Sequence, residues 1–423
     1  MKQRKRVEWT RLENASKIFP ATYNNLDTKV FRLGCELYEA IKPEILQRAL
    51  DETMESFPLY QSVLRRGAFW YYFESSDIRP IVERESRPIC APIYHKNRRN
   101  LLFRVFYYHN RINLEIFHAL SDGTGALWFL QTLIYYYLVF AHKETFQSKK
   151  PELNIHASVI EKMDDSFGKY FPGENVIKDR IKKHKISRVY HIRGNKLEEN
   201  RMNLIEGCMS AKAVLELAHK YHTTLTILIT ALFIYSIFKE MPAYRKNHPI
   251  VLSVPINLRQ FFPSETARNF FSTMNISYNF GKGDTKFKDV IERVRKSFEK
   301  ELQEEQLMWK LNQFMSLERH PLVRILPLVI KDISLRIANK IKDREITAAI
   351  TNIGTISMPL EFKPYIQQVN LCTSARRPQI SVCTYQDRLV ISFTSPFLET
   401  EIQRNFFQFL SKRGIEIQIA SNL

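Results

Sequence analysis

The segment Phe117-His118-Ala119-Leu120-Ser121-Asp122-Gly123 sets a histidine, an aspartate and a glycine at H-x-x-x-D-G spacing. A histidine held at a fixed point can take a proton from a hydroxyl or an amine, because its ordinary pKa, about 6.5, lies near neutrality. Asp122 followed by Gly123 fits a tight turn, since glycine allows backbone angles closed to other residues. A carboxylate there is also favoured by the positive end of a helix that follows. Spacing alone does not decide the matter in a chain with eleven histidines. The same residues read equally well as a satisfied core histidine and a helix cap.

The neighbouring elements place this segment at a junction. Residues 101–108 and 112–117 are rich in β-formers and joined by His109-Asn110-Arg111, a hairpin-like turn. Residues 123–142 carry Leu127, Leu130, Ile134 and Leu138 at helical spacing. His118 therefore ends a strand and Asp122 opens a helix, a place where a rigid scaffold displays functional side chains. Before them, a strand is expected over 28–40, a helix over 42–56 with Pro43 in its first turn, and a strand over 68–74.

Residues 143–202 are charged and turn-rich, with a basic peak at KDRIKKHKISR, and read as a connection. The second half restarts with helices over 210–221, capped by Ser210, and 225–238. Strands are expected over 249–256, 272–280, 346–352, 366–371, 379–385 and 389–393. Amphipathic helices are expected over 286–303 and 399–410. Strands and helices interleave, so the fold class is α/β or mixed α+β. A length of 423 residues calls for two domains. They are expected over 1–165 and 203–423, with 166–202 between them.

Composition narrows the function classes. Hydrophobic residues at 44% and charged residues at 25% belong to a folded globular chain. The apolar runs 127–141 and 225–238 are shorter than the ~18–20 residues of a membrane span and read as core helices. The N-terminal MKQRKRVEW lacks an apolar h-region. Five scattered cysteines without CxxC spacing argue against a disulfide framework and a thiolate metal site, so a cytoplasmic chain without metal is expected. A net charge of +19 reads first as a generically basic surface, and otherwise as attraction to an anionic counterpart: nucleic acid, a phosphate-bearing co-substrate, an acidic protein or an anionic membrane surface. No nucleic-acid motif accompanies it, and no nucleic-acid partner is expected.

HALSDG resembles the HxxxDG motif of the chloramphenicol acetyltransferase-like superfamily, which includes plant BAHD acyltransferases, alcohol acetyltransferases and peptide-synthetase condensation domains. Three further stretches are similar to that superfamily in the same order. They are FPLYQSVL at 57–64, PINLRQFFPSETARNFFST at 255–273 and TNIGTISMP at 351–359. The resemblance implies two similar domains, each a mixed sheet with flanking helices, and an active-site tunnel between them. It implies no bound cofactor but acetyl-CoA or acyl-CoA, a phosphopantetheine thioester, as co-substrate, and a small-molecule alcohol or amine as acceptor. His118 would be the general base of a direct transfer without an acyl-enzyme. Asp122 would be structural, paired with Arg259, and Ser272 or Thr273 would donate to the oxyanion. Asn269, Asn352 and Gly354 would shape backbone at the tunnel.

The sequence departs from the family at Phe117, where condensation domains carry a second histidine, and at Gln61, where an arginine is usual. The DFGWG motif of plant enzymes is missing. These departures point toward a stand-alone, alcohol acetyltransferase-like O-acetyltransferase. They leave open a condensation-like enzyme served by an acyl carrier protein, a non-catalytic scaffold, and peripheral contact with a membrane.

Overall fold

The computed structural model describes residues 9–13, 15–96, 98–147, 150–153, 159–164, 166–170, 188–281 and 285–422. The basic peak of the connecting segment, apart from its last residue, and most of the connection before 188 lie outside the described residues.

The first half supplies seven strands: β1 (Trp9–Arg11), β2 (Val30–Leu37), β3 (Ser62–Arg66), β4 (Tyr71–Ser75), β5 (Val82–Arg84), β6 (Phe103–Tyr108) and β7 (Arg111–Phe117). The second half supplies eight: β8 (Asn203–Ser210), β9 (Ile250–Asn257), β10 (Phe271–Tyr278), β11 (Ala348–Ile356), β12 (Ile366–Thr373), β13 (Gln379–Tyr385), β14 (Arg388–Ser395) and β15 (Ile417–Ser421). The principal helices are α1 (Ile18–Thr22), α2 (Pro43–Glu55), α3 (Gly123–Ala141), α4 (Ala211–Lys220) and α5 (Leu225–Lys239). They continue as α6 (Phe287–Glu301), α7 (Glu304–Arg319), α8 (Leu328–Asp343) and α9 (Glu401–Ser411).

Three sheets result. A five-stranded sheet runs β12-β2-β7-β6-β5, a seven-stranded sheet runs β10-β9-β11-β13-β14-β8-β15, and a small one runs β1-β4-β3. Both large sheets are mixed: β5 lies parallel to β6, and β11 parallel to β13 and β9, while the other pairs are antiparallel. Each large sheet backs its own hydrophobic core. The chain is thus a mixed α/β protein of two units, as its residue pattern implies. The partition is not a single cut at the connection, however. β12 comes from the second half yet pairs with β2 from Phe31 to Leu37, so the first sheet is completed by a strand that the division at 203 would assign elsewhere.

Every expected helix and strand is present, displaced by a few residues at its ends. The pattern missed β1, α1, β3, β5, β8, α7, α8 and β15. In β8 the disguise is Glu206, a charge in a buried strand. It is held there by the Asn370 amide at 3.2 Å, the Ser392 hydroxyl at 3.1 Å and Arg111 at 3.5 Å. Length alone does not classify α3, which reaches 19 residues and is apolar enough to cross a bilayer, but 67% of its apolar 18-residue window is buried. It is the core helix of the first unit.

Candidate active site

His118 follows β7, the middle strand of the five-stranded sheet, whose residues Ile112–Phe117 are all buried. Its backbone N–H donates to the Lys29 carbonyl at 2.8 Å, so the histidine is anchored to the residue preceding β2. Three aromatic rings enclose the imidazole. Phe19 of α1 stacks on it at 4.3 Å between centroids, Phe31 lies at 5.0 Å and Phe271 of β10 at 5.5 Å. This burial pushes the His118 pKa below its ordinary value. Hydrogen bonds from the ring to its own carbonyl and to Asn269, and the Asp122 charge, oppose that shift without cancelling it.

Asn269 settles which ring nitrogen is basic. Its amide nitrogen donates to the His118 carbonyl at 2.9 Å, to the Ser16 hydroxyl at 2.8 Å and to the Ala119 carbonyl at 3.4 Å. Those acceptors fix the amide's orientation and turn Oδ1 toward His118 Nδ1 at 3.1 Å. Nδ1 must then carry the proton of the neutral imidazole, and Nε2 is left as the acceptor. Ser16 in turn donates to Glu13 at 2.6 Å, and Arg268 forms a buried ion pair with the same carboxylate. The histidine is thus oriented through Asn269 and Ser16 by a network reaching the N-terminal segment. Sequence reasoning gave Asn269 a backbone role only and did not find Ser16 or Glu13, whose partners Asn269 and Arg268 lie more than 250 residues away.

Asp122 does not touch the imidazole at hydrogen-bonding distance. It is the N-cap of α3, and its Oδ1 accepts from the Thr124 and Gly125 N–H groups at 3.1 and 3.0 Å. Its Oδ2 accepts from Arg259 Nη1 at 2.7 Å and from the Phe270 N–H at 2.8 Å. Arg259 also donates to the carbonyls of Thr266 and Arg268. Both side chains are buried, at 7% and 6% exposure, so the pair is an internal bolt between the start of α3 and the 257–270 loop of the second unit.

Glycine is needed here for a reason other than the one expected. Gly123 does not adopt a left-handed backbone, and a Cβ on it would press on Ile353 at 3.3 Å. Gly125 is the tighter position: a Cβ there would run into the Ala267 carbonyl and the Ser121 hydroxyl, so the loop and the helix meet only because that side chain is missing.

A cavity of about 970 Å³, walled by β9, β10, β11, α5 and α6, opens onto His118 and the start of α3. Gly123, Thr124, Asn257 and Phe271 line it near the motif, and Asn352 and Gly354 lie on its β11 wall. Asn352 accepts from the Gly354 N–H at 2.8 Å and donates to Thr226 at 2.9 Å. Gly354 has a φ of 78°, where the β11–β13 register slips. Ser272 and Thr273 are not on the cavity wall. Strand alternation turns Ser272 away from the side on which Phe271 meets His118, and it is buried. Thr273 is exposed, with its carbonyl accepting from Lys310 at 3.1 Å. The hydroxyl that does line the cavity beside the motif is Thr124, which accepts from Asn257 Nδ2 at 3.2 Å and so keeps its own proton for another acceptor.

Farther along the same wall, the N-terminus of α5 contributes Thr223, Thr224 and Thr226, accompanied by His219, His222 and Arg295. The Thr223 hydroxyl is enclosed without a hydrogen-bond partner. A second cavity of about 670 Å³ lies one helical turn further along α3, against Leu127, Trp128 and Gln131. Among the described residues no cluster of three or more His, Cys, Asp or Glu side chains is placed to hold a metal. All five cysteines are free thiols.

No known family model matches the chain, and no characterised protein sequence does. Solved structures do. The TRI3 trichothecene 15-O-acetyltransferase of Fusarium sporotrichioides superimposes with a TM-score of 0.67 at 11% identity, over 96% of this chain and 94% of that one. TRI101 of the same fungus, complexed with coenzyme A and T-2, gives 0.63 at 9%, over 97% and 99%. The starter condensation domain of rhizomide synthetase RzmA gives 0.57 at 12%, over 96% of each chain. At such identities the likeness concerns the fold, which is that of the chloramphenicol acetyltransferase-like and condensation proteins, as the four sequence stretches imply.

Proposed function

We propose that the chain is an acyltransferase that moves an acyl group from a coenzyme A-type thioester to a hydroxyl or amine. The observation that carries this reading is the oriented imidazole: His118 Nδ1 is tied to Asn269, and the ring stands at a cavity large enough for two substrates. Nε2 takes the acceptor proton, and the acceptor oxygen or nitrogen attacks the thioester carbonyl. The tetrahedral oxyanion collapses, the carbon–sulfur bond breaks, and the leaving thiolate takes the proton back from His118. Thr124 is the hydroxyl we assign to the oxyanion, in place of Ser272 or Thr273.

The wall of His219, His222 and Arg295, the last paired with Glu299 at 3.9 Å, with the α5 N-terminus beside it, suits the phosphates of a thioester donor. Neighbours in fold include TRI101 complexed with coenzyme A. Condensation domains share the fold as well, so a carrier-bound thioester is the rival donor. Thiol release from acetyl-, hexanoyl- and palmitoyl-CoA across a panel of alcohols and amines tests the reading. Release that needs both an acceptor and His118 supports it. No release by the wild type with any donor, free or carrier-bound, would overturn it and leave a scaffold of the same fold.

A further inference from the structure

The described residues include one helix whose outer face is apolar without a covering element. Val329, Ile333, Ile337 and Ile341 follow one another at four-residue steps along α8, with Ile330 beside them, and each is 45% exposed or more. At 100° per residue these five side chains fill an arc of about 120°. The inward face of α8 is a different one. Leu328 and Asp332 are buried there, and Asp332 accepts from Tyr71 Oη at 2.8 Å and Arg66 at 3.1 Å.

On the same projection Lys340 falls within the arc, about 20° from Val329, and Arg336 lies about 20° outside that edge, while Lys342 lies about 100° beyond Ile341. The two acids of the helix are already engaged, Asp332 as above and Asp343 with Arg376 at 2.5 Å. The tip of the β3–β4 hairpin extends this face. The Leu328 N–H donates to the Ala68 carbonyl at 2.8 Å and Lys331 to the Phe69 carbonyl at 2.9 Å, which seats Phe69 and Trp70 beside the start of α8. Both rings are exposed, and Arg11 lies over Trp70 at 4.9 Å.

We propose that the outer face of α8, together with the Phe69-Trp70 tip, docks on an anionic membrane surface. An apolar stripe with Lys340 inside it and Arg336 at one edge, and with aromatic rings at its end, matches the layered chemistry of a bilayer interface. There acyl chains accept the isoleucines, and the headgroup region takes the rings and the cations. A net charge of +19 adds attraction over longer range. The inference stands apart from the acyl-transfer reading. It does bear on it: α8 packs on α1, Arg336 donates to the Ala21 carbonyl at 2.7 Å, and the Phe19 ring of α1 stacks on His118. One short helix therefore separates the docking face from the histidine.

The test is flotation of the full chain with phosphatidylcholine vesicles, with and without about 30% phosphatidylglycerol, at roughly 0.1 M salt. The wild type is expected to float with the anionic vesicles, to float poorly with the neutral ones, and to be released as salt rises. Ile333→Glu/Ile337→Glu should weaken vesicle binding at least about tenfold, with an unchanged melting temperature because both positions are exposed. Lys340→Gln should weaken binding to anionic vesicles alone. Failure of the wild type to float would overturn the proposal, as would flotation indifferent to the glutamates. Vesicle-independent dimers that the glutamates dissociate would assign the face to a second copy of the chain and overturn it equally.

Discussion

His118 and Asp122 are four residues apart in one turn, and their surroundings are opposite. The imidazole sits among three aromatic rings with one side-chain partner on Nδ1 and an edge on the cavity. The carboxylate accepts four hydrogen bonds within 3.1 Å, from α3, Arg259 and the Phe270 backbone. A group with all its lone pairs engaged holds structure together, whereas one with a single unengaged nitrogen facing a cavity is available for chemistry. The motif therefore has two unlike ends, with the aspartate bolting the start of α3 to the 257–270 loop and the histidine at the cavity beside that bolt.

Substitutions at the two ends should separate activity from stability. His118→Gln is expected to lower kcat/KM by up to about 10⁴-fold, the upper range for a general base, and to shift the melting temperature little. Equal losses of activity and melting temperature would make the histidine a packing residue and dissolve the contrast. Asp122→Asn leaves Arg259 buried without its counter-charge and should cost about 3–5 kcal/mol of stability, read by urea unfolding, with activity falling only as the loop loosens. Arg259→Gln should cost a similar amount. Because the two share one interaction, the double variant should cost clearly less than the sum, and additive losses would show that the bolt is not the source. Gly125→Ala should lower stability by about 1–3 kcal/mol through the clash with the Ala267 carbonyl. The same change at Gly123 meets only the Ile353 side chain and should cost less.

What the sequence revealed follows the reach of each physical signal. Helices and strands with one apolar face, such as α2 and α6, announce themselves by periodicity, and the strand–turn–helix around His118 was legible for that reason. The pair Asp122–Arg259, 137 residues apart, could be anticipated only through likeness to a family. Nothing local in Glu13, Ser16 or Asn269 marks a network, since a polar residue's partner is chosen by the fold and not by its neighbours in the chain. The oxyanion donors Ser272 and Thr273 were chosen by proximity in sequence to a motif, and the residues of β10 that line the cavity are Phe271 and Met274. The apolar residues of α8 recur at helical spacing, Val329, Ile333, Ile337 and Ile341; what periodicity could not tell is that this face lies outward.

The finest distinction between the two ends is electrostatic, and a pH profile resolves it. Burial lowers the His118 pKa, and the Asn269 hydrogen bond raises it in part. On the acyl-transfer reading the active form is the neutral imidazole, so the acid limb of kcat/KM should lie below the ordinary value of about 6.5, with activity lost as pH falls through the lowered pKa. Stability obeys the same sign. Above about 6.5 the histidine is neutral in both folded and unfolded chains and contributes nothing. Below that value the unfolded chain takes up a proton first, so stability declines until pH passes the folded pKa. Asn269→Ala removes a hydrogen bond that favours the charged ring and should move the acid limb further down. It should also lower kcat by about tenfold, near 1.4 kcal/mol, because Nε2 is no longer held as the acceptor, while KM changes little. An Asn269 that merely braced the His118 and Ala119 carbonyls would reduce stability and leave the limb where it was. The direction of that limb therefore decides whether Asn269 belongs with the histidine or with the bolt.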